Sequence, residues 1–386
     1  MSIKVSELLN LIPENLLDEL GAKTKVDKKN TYRLTGKAVF EILFYSLLEE
    51  DRTSLRVIED ILKRQNFKFY HKGTEIKGSR SGLSDRLKVI NYEYFEGIFK
   101  ELGKSLSKYI PEDSNSKLML FDTTVVTLSS KLLHIGHHGG TKNTNQIKFS
   151  VGYNGLPLSC NIRADKSAVS EDVALRDAIM AAGLDKDSIA VFDRGLCSRK
   201  TFSNFSETGI MFVTRLKDRT AYKIKKITEG FVPFEADNLR YEEDCIIQLR
   251  STEVRWVPTE FRLIKAYNKT TDKHLLFLSN MFELPAEQVT AIYKSRWDIE
   301  VFFKFIKQYL NAKHFLSRNL NGIKVVFYMI LILAIVLLVY KKLNQIDGFK
   351  ITVMRFKEEL RRLITYEIIK YYQVYPDKLD QRDFIC

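Results

Sequence analysis

The chain has 386 residues, 45% hydrophobic and 28% charged, which is ordinary for a globular protein and enough for two or three domains with a sizeable core. Its net charge of +13 favours a polyanionic partner, nucleic acid before an anionic membrane. Cys160, Cys197, Cys245 and Cys386 lie far apart with no CxxC pair, which argues against a zinc site or disulfide framework and fits a reducing cytoplasm.

The N-terminal stretch MSIKVSELLNLIPENLL lacks the basic start, apolar run and small-residue cleavage site of a signal peptide. Apolar residues recur at helical spacing in Ser6–Leu20, Thr35–Leu48 and Ser54–Gln65. Next comes KGSRSGLSDRLK, where Ser81 or Ser84 could cap a helix that carries Arg86 and Lys88. Between Lys63 and Lys88 there are eight Lys/Arg and two acids. A helical domain over 1–116 with a local basic patch suggests DNA binding through a helix-turn-helix-like element. Arg80, Arg86 and Lys88 are its candidate contacts; a solvated charged face is the plainer alternative.

From Lys117 the pattern changes. KLMLFDTTVV reads as a short apolar strand ending at Asp122. IKFSVGYNGLPLSCNIR reads as a hairpin turning at Asn154-Gly155. Ser170–Ala182 is helical in pattern, SIAVFDRG is a buried strand ending at Asp193, and GIMFVTRL is a further strand. Alternating strands and helices predict an α/β core. CIIQLRSTEVRWV and FRLIKAYNK alternate at period two, so 217–278 reads as a β-rich insertion. The core then comprises 117–216 and 279–340, with a helical segment over 341–386. Val325–Tyr340 is sixteen apolar residues without a break, short of the ~20 that a membrane span needs. It reads as a helix buried inside a soluble domain.

AIYKSRWDIEVFFKFIKQYL, Ala291–Leu310, is expected to be one helix, entered near Leu284-Pro285. At about 100° per residue, Tyr293, Arg296, Glu300 and Lys307 share an arc of about 60°. Ile299, Phe302, Ile306 and Leu310 form an apolar stripe beside them. Taken alone, Glu300 is a helical acid with ordinary ion pairs. Asp122 and Asp193 at strand ends occupy the positions where functional groups collect in open sheets. Three converging carboxylates repel unless cations sit between them. Oxygen-only ligands suit Mg²⁺ or Mn²⁺, and two such ions about 4 Å apart support phosphoryl transfer.

Tyr293-x2-Arg296-x3-Glu300-x6-Lys307 resembles, in residue type and spacing, the Tyr-Arg-Glu-Lys signature of bacterial insertion-sequence transposases of the DDE class. These are cut-and-paste enzymes that include hairpin-forming members. FDTT at Phe121–Thr124 and VFDRG at Val191–Gly195 look like the blocks that hold that family's first and second Asp. The resemblance spans roughly Leu118–Tyr340. It implies a ribonuclease-H-like catalytic core with a β insertion before the last acid. It further implies that Asp122, Asp193 and Glu300 bind two metal ions, and that Tyr293, Arg296 and Lys307 contact DNA phosphates near the cut. The implied partners are transposon inverted repeats and target DNA, with a homodimer holding both ends, in the bacterial cytoplasm at the nucleoid and without a membrane.

Charge agrees with this. Val301–Ile346 holds seven Lys/Arg and no acid, and RLKDRTAYKIKK holds six bases and one acid. Arg194, beside the second acid, and Lys148, if its strand turns it to the site, are further DNA candidates. Trp256 and Trp297 could stack on a displaced base, although a core position is commoner for either. His134, His137 and His138 in HIGHHGGTKN lack zinc-motif spacing and read as loop residues. Three alternatives stay open: a metal-dependent nuclease without strand transfer, a transposase-derived DNA-binding protein, and a membrane-associated protein, which rests only on Val325–Tyr340.

Overall fold

The computed structural model describes the chain except residues 1, 51–52, 111–116, 128–136, 139–144, 165–169, 252–254, 311, 313–315 and 376–386. In chain order the elements begin with helices α1 Val5–Asn10, α2 Glu14–Thr24, α3 Gly36–Glu49, α4 Leu55–Ile61, α5 Gln65–Tyr70, α6 Arg80–Val89 and α7 Tyr92–Ser107. Strands β1 Leu118–Thr127, β2 His137–His138, β3 Asn145–Asn154 and β4 Leu156–Arg163 follow, then α8 Glu171–Ala181, β5 Ile189–Phe192, α9 Arg199–Glu207 and β6 Met211–Arg215. The insertion supplies β7 Tyr222–Ile227, β8 Phe234–Ala236, β9 Leu239–Leu249, β10 Glu260–Asn268 and β11 Lys273–Ser279. Helices α10 Ala286–Lys294, α11 Trp297–Tyr309, α12 Leu320–Leu343 and α13 Phe349–Val374 complete the chain. Two compact units result: a helical one of Met1–Pro111, Gly155–Leu158 and Phe303–Cys386, and a sheet unit of Glu112–Asn154 and Ser159–Phe302.

Within the helical unit, α12 is the core element. It packs on α3, α6, α7 and α13, and every residue from Val325 to Tyr340 is buried in protein. At 24 residues it is longer than the uninterrupted apolar run suggested, and long enough by length and composition to cross a membrane. Its burial on all sides makes it instead the centre of a helical core. It groups with the N-terminal helices, whereas the sequence suggested that it belongs to the catalytic core. The first helix expected is two, α1 and α2, broken at Pro13, which lacks the N–H that a helix interior requires. Ser54 caps α4 as a side-chain acceptor for the Val57 N–H, and α4 ends at Ile61, short of the expected end at Gln65, where α5 begins. The cap of α6 is Ser79, accepting from the Gly82 N–H at 3.1 Å, rather than Ser81 or Ser84.

In the sheet unit the strand order is β2-β3-β1-β5-β6-β11-β10-β9-β7, with β4 on β3 and β8 on β9. β3 runs antiparallel to β1, while β5 and β6 run parallel to it and to each other. This β4-β3-β1-β5-β6 arrangement is ribonuclease-H-like. The insertion extends the same sheet: β11 pairs antiparallel with β6, and β10, β9 and β7 add outward. The β3–β4 hairpin turns where expected, at Gly155, whose φ of +69° is a backbone shape that glycine adopts at little cost. His137 and His138 pair with Gln146 and Asn145 in a short strand and so are not loop residues; His134 lies outside the described residues. One face of the sheet carries α8 over β1 and β3, and α9 over β6. Phe121, Phe192, Phe202, Phe205, Phe212 and Phe261 are buried together in this core.

Candidate active site at the ends of β1 and β5

Asp122 is not at the end of its strand, because β1 continues to Thr127 against β3. It stands where the parallel pairing ends. The last β1–β5 pair is Phe121↔Phe192, so Asp122 and Asp193 are the next residues in register. Neighbouring strands lie about 4.8 Å apart, so the Asp193 charge acts on the Asp122 carboxyl. Burial pushes the Asp122 carboxyl up to about 6; the Thr123 N–H and Arg296 oppose the rise, while Asp193 and Glu171 add to it. The Thr123 N–H donates to Asp122 Oδ1 at 2.7 Å, and the Gly195 N–H to Asp193 Oδ1 at 2.8 Å. No hydrogen bond to either Oδ2 is seen among the described residues.

Side chains alternate along a strand, so Asp122 shares its face with Leu120, whose partner is Tyr153. Tyr153 packs on Phe302 of α11, ring centroids 5.0 Å apart, so this is the face that α11 covers. α11 buries Ile299, Phe302, Ile306 and Leu310, the stripe read from the sequence. The single helix expected here is two, however. At Ser295–Arg296 the backbone bonds shorten, with the Arg296 N–H on Tyr293 O and the Asp298 N–H on Ser295 O. These i→i−3 bonds mark a tight turn. Tyr293 therefore lies in the last turn of α10, and Arg296 leads into α11.

The Arg296–Glu300 pair survives the break, Nη2 to Oε1 at 2.6 Å. The Arg296 guanidinium also lies 5.6 Å from the Tyr293 ring centroid, and Tyr293 meets Phe277 edge-on. Burial opposes the charge on Arg296, yet Tyr293 and Glu300 beside it hold its pKa above the usual arginine range. Among the described residues the buried Nε atoms of Arg296 and Arg215 have no acceptor, and both cations act on the Tyr293 phenol. Orphan donors of this kind suit an anion. A cavity of ≈ 510 Å³ is lined by residues that include Arg215 and Tyr293, with Tyr241, Phe277, Thr290 and Lys294.

Two acids near this centre have little signal in the sequence. Glu171 opens α8, where an acid reads as a complement to the helix dipole. It is exposed as a residue, but its carboxyl lies against Gly195: a Cβ built there would meet Glu171 Cδ at 2.7 Å and Asp193 Oδ1 at 2.8 Å. That partial burial, then Asp193, raises its pKa, while Lys148 and Lys217 oppose the rise. Asp172 Oδ1 accepts from the N–H groups of Cys197 and Ser198 at 2.6 and 2.7 Å, fixing the loop after Asp193.

Lys148 pairs in register with Val125, three residues from Asp122 and so on the opposite face, and Glu171 acts on it there. Arg194 is exposed beside Asp193. Trp297 is 61% exposed, against the commoner core placement, and Trp256 is half-buried. In the helical unit, Lys307 Nζ lies 5.6 Å from the Phe303 ring centroid. Arg80 is exposed and Lys88 pairs with Asp85 at 2.7 Å. Arg86 is held within the fold: its guanidinium donates to Leu34 O at 2.8 Å, to Val26 O at 2.9 Å and to Asp27.

Residues 114–337 match the family model described as "Transposase DDE domain". The chain is 26% identical over 276 residues to y4zB of Sinorhizobium fredii, named as a transposase, covering 70% of this chain and 73% of that one. It is 24% identical over 319 residues to a protein of Synechocystis sp., named as a transposase for insertion sequence element IS4SA, covering 80% and 83%. Among solved structures, a piggyBac transposase synaptic complex with hairpin DNA aligns at a TM-score of 0.49 and 10% identity, over 98% of this chain and 86% of that one.

Proposed function

The chain belongs to the transposase DDE-domain family, enzymes that cut and join DNA, and on that premise we propose that Asp122, Asp193 and Glu300 are its catalytic carboxylates. The observation that carries this reading is the register adjacency of Asp122 and Asp193 just beyond Phe121↔Phe192. Burial, with the charges of Asp193 and Glu171 adding to it, holds the Asp122 carboxyl at about 6. The donor set is all oxygen, and each aspartate keeps one oxygen without a hydrogen bond among the described residues, which fits Mg²⁺ or Mn²⁺. Two such ions, when bound, supply the Lewis acidity that activates the attacking oxygen and stabilises the leaving one.

No preassembled group of three His, Cys, Asp or Glu stands ready for a metal among the described residues, and Glu300 is paired with Arg296. A DNA phosphate on the Arg296 guanidinium would compete for that pairing and release Glu300 toward the aspartates. The third ligand then arrives with the substrate. Tyr293 and Arg296 orient the phosphate beside the cut, with Arg suited to two-point contact. Arg194 and Trp297 extend the DNA contact, and Arg80, Lys88 and Lys307 of the helical unit are further DNA contacts; Lys148, buried on the opposite face, is not among them. Water attacks the phosphodiester at each end of the element. The freed 3′-OH attacks the opposite strand to give a hairpin and later joins target DNA, with two copies of the chain holding the two ends.

The test is a DNA fragment with the flanking inverted repeats, incubated with protein and Mg²⁺ and run on denaturing gels beside Glu300→Gln. A nick at the repeat boundary and then a hairpin band, both absent in the variant, are expected. Cutting that ignores the repeats would point to a plain nuclease, and binding without cutting to a DNA-binding relic.

A further inference from the structure

The β-rich insertion is bonded to the run-in of the third-acid helix at two points. The first is Arg262 on β10, 5% exposed, against Asp244 on β9, 2% exposed. Its Nε and Nη2 donate to the two Asp244 oxygens at 2.9 and 2.6 Å. Its Nη1 turns to the main-chain carbonyls of Met281, Phe282 and Leu284. Those carbonyls directly precede Pro285, the N-cap of α10, which has no side-chain cap of its own. Thr228 Oγ1 donates to Asp244 at 3.0 Å, so the carboxylate is well satisfied. The second point is Tyr241 on β9. Thr290 Oγ1 gives its proton to Glu287 O at 3.0 Å, so Tyr241 Oη is the donor in their 2.6 Å contact. α10 passes to α11 through the tight turn at Ser295–Arg296, whose backbone bonds leave little slack.

We propose that Arg262, Asp244, Tyr241 and Thr290 are positioning residues: a brace through which the insertion sets α10 and thereby the Arg296–Glu300 pair. A buried ion pair adds little to stability over an apolar pair of equal volume. Here the guanidinium also gathers three carbonyls of one connecting segment, which an apolar pair could not hold. Since the Arg296–Glu300 pair is the part of the site that must rearrange, its resting position governs how readily Glu300 reaches the aspartates. Displacements of about 1 Å at reacting groups cost up to about a hundredfold in rate. The claim about rate rests on the proposed function above; the claim about the position of α10 does not.

Tyr241→Phe and Thr290→Val each remove one end of the hydrogen bond with little change of shape, and Arg262→Met with Asp244→Leu replaces the ion pair as a unit. Three readouts separate the possibilities: amide hydrogen exchange over 286–300, DNA affinity, and the single-turnover cutting rate in preformed DNA complexes. The expected result for Tyr241→Phe is exchange over 286–300 faster by about tenfold and cutting slower by about tenfold. DNA affinity should hold within about twofold, and the Tyr241→Phe/Thr290→Val double variant should be no worse than either single. Unchanged exchange would overturn the brace. So would faster exchange with an unchanged cutting rate, or a cutting loss matched by lost DNA affinity. Wild-type protein that cuts nothing would instead sink the functional reading, and the brace would then be decided by exchange alone.

Discussion

Replacing Asp122 by Asn should stabilise the metal-free protein. The carboxyl is moved from 3.8 to about 6, first by burial and then by Asp193 and Glu171. The folded state therefore binds the proton more tightly than the unfolded chain, and stability falls as pH rises through that window. One pKa unit corresponds to about 1.4 kcal/mol, so the full penalty is about 3 kcal/mol above pH 7, about half of that at pH 5, and nothing well below pH 4. Asn keeps an oxygen for the Thr123 N–H, which donates at 2.7 Å, but loses the attraction of Arg296. The net gain at pH 7.5 should be about 1–3 kcal/mol, or several degrees in Tm. Thermal unfolding in EDTA at pH 7.5 and pH 5 measures it. The gain should shrink at pH 5, and added Mg²⁺ should raise the wild-type Tm while leaving the variant nearly unmoved. A variant no more stable than wild type at pH 7.5 would show that the carboxyl is not electrostatically strained, and the case for a divalent ion there would lose its main support.

Two other sites give contrasting outcomes. Gly195→Ala places a methyl 2.7 Å from Glu171 Cδ and 2.8 Å from Asp193 Oδ1; cutting should fall by about tenfold or more with folding retained, and Glu171→Ala in the same chain should recover part of it. An unchanged cutting rate in Gly195→Ala would mean that the Asp193 loop tolerates movement. Arg86→Ala should cost about 2 kcal/mol by orphaning the Leu34 and Val26 carbonyls while leaving the salt dependence of DNA binding alone. Arg80→Ala should leave Tm unchanged and reduce the salt slope by about one. The reverse pattern in unfolding and salt-titration experiments would reassign the two arginines.

What the sequence made legible was local and periodic. The strand around each aspartate, the Asn154-Gly155 turn and the apolar stripe of Ile299, Phe302, Ile306 and Leu310 follow from short-range pattern, and all are present. Less legible was anything decided by distant partners. The break at Ser295–Arg296 has no Gly or Pro to announce it; α10 is tied to β9 through Thr290 and Tyr241, while α11 packs through Phe302 on Tyr153 of β3. A wheel drawn through both helices assumes one axis where two sets of contacts impose two. Arg86 was misleading for the same reason. A charge-rich stretch is basic whether its cations face solvent or not, and only Leu34, Val26 and Asp27, more than fifty residues upstream, show where this guanidinium lies.

Asp122 extends the point to chemistry. Its strand does not stop there, as the apolar run suggested; the parallel partner does, at Phe192. The acid is exposed to its neighbour by the end of β5 rather than of β1. In this sheet, then, the candidate site is a property of a pair of strands. A single-chain pattern can name the two aspartates, but their adjacency exists only once β1 and β5 are in register.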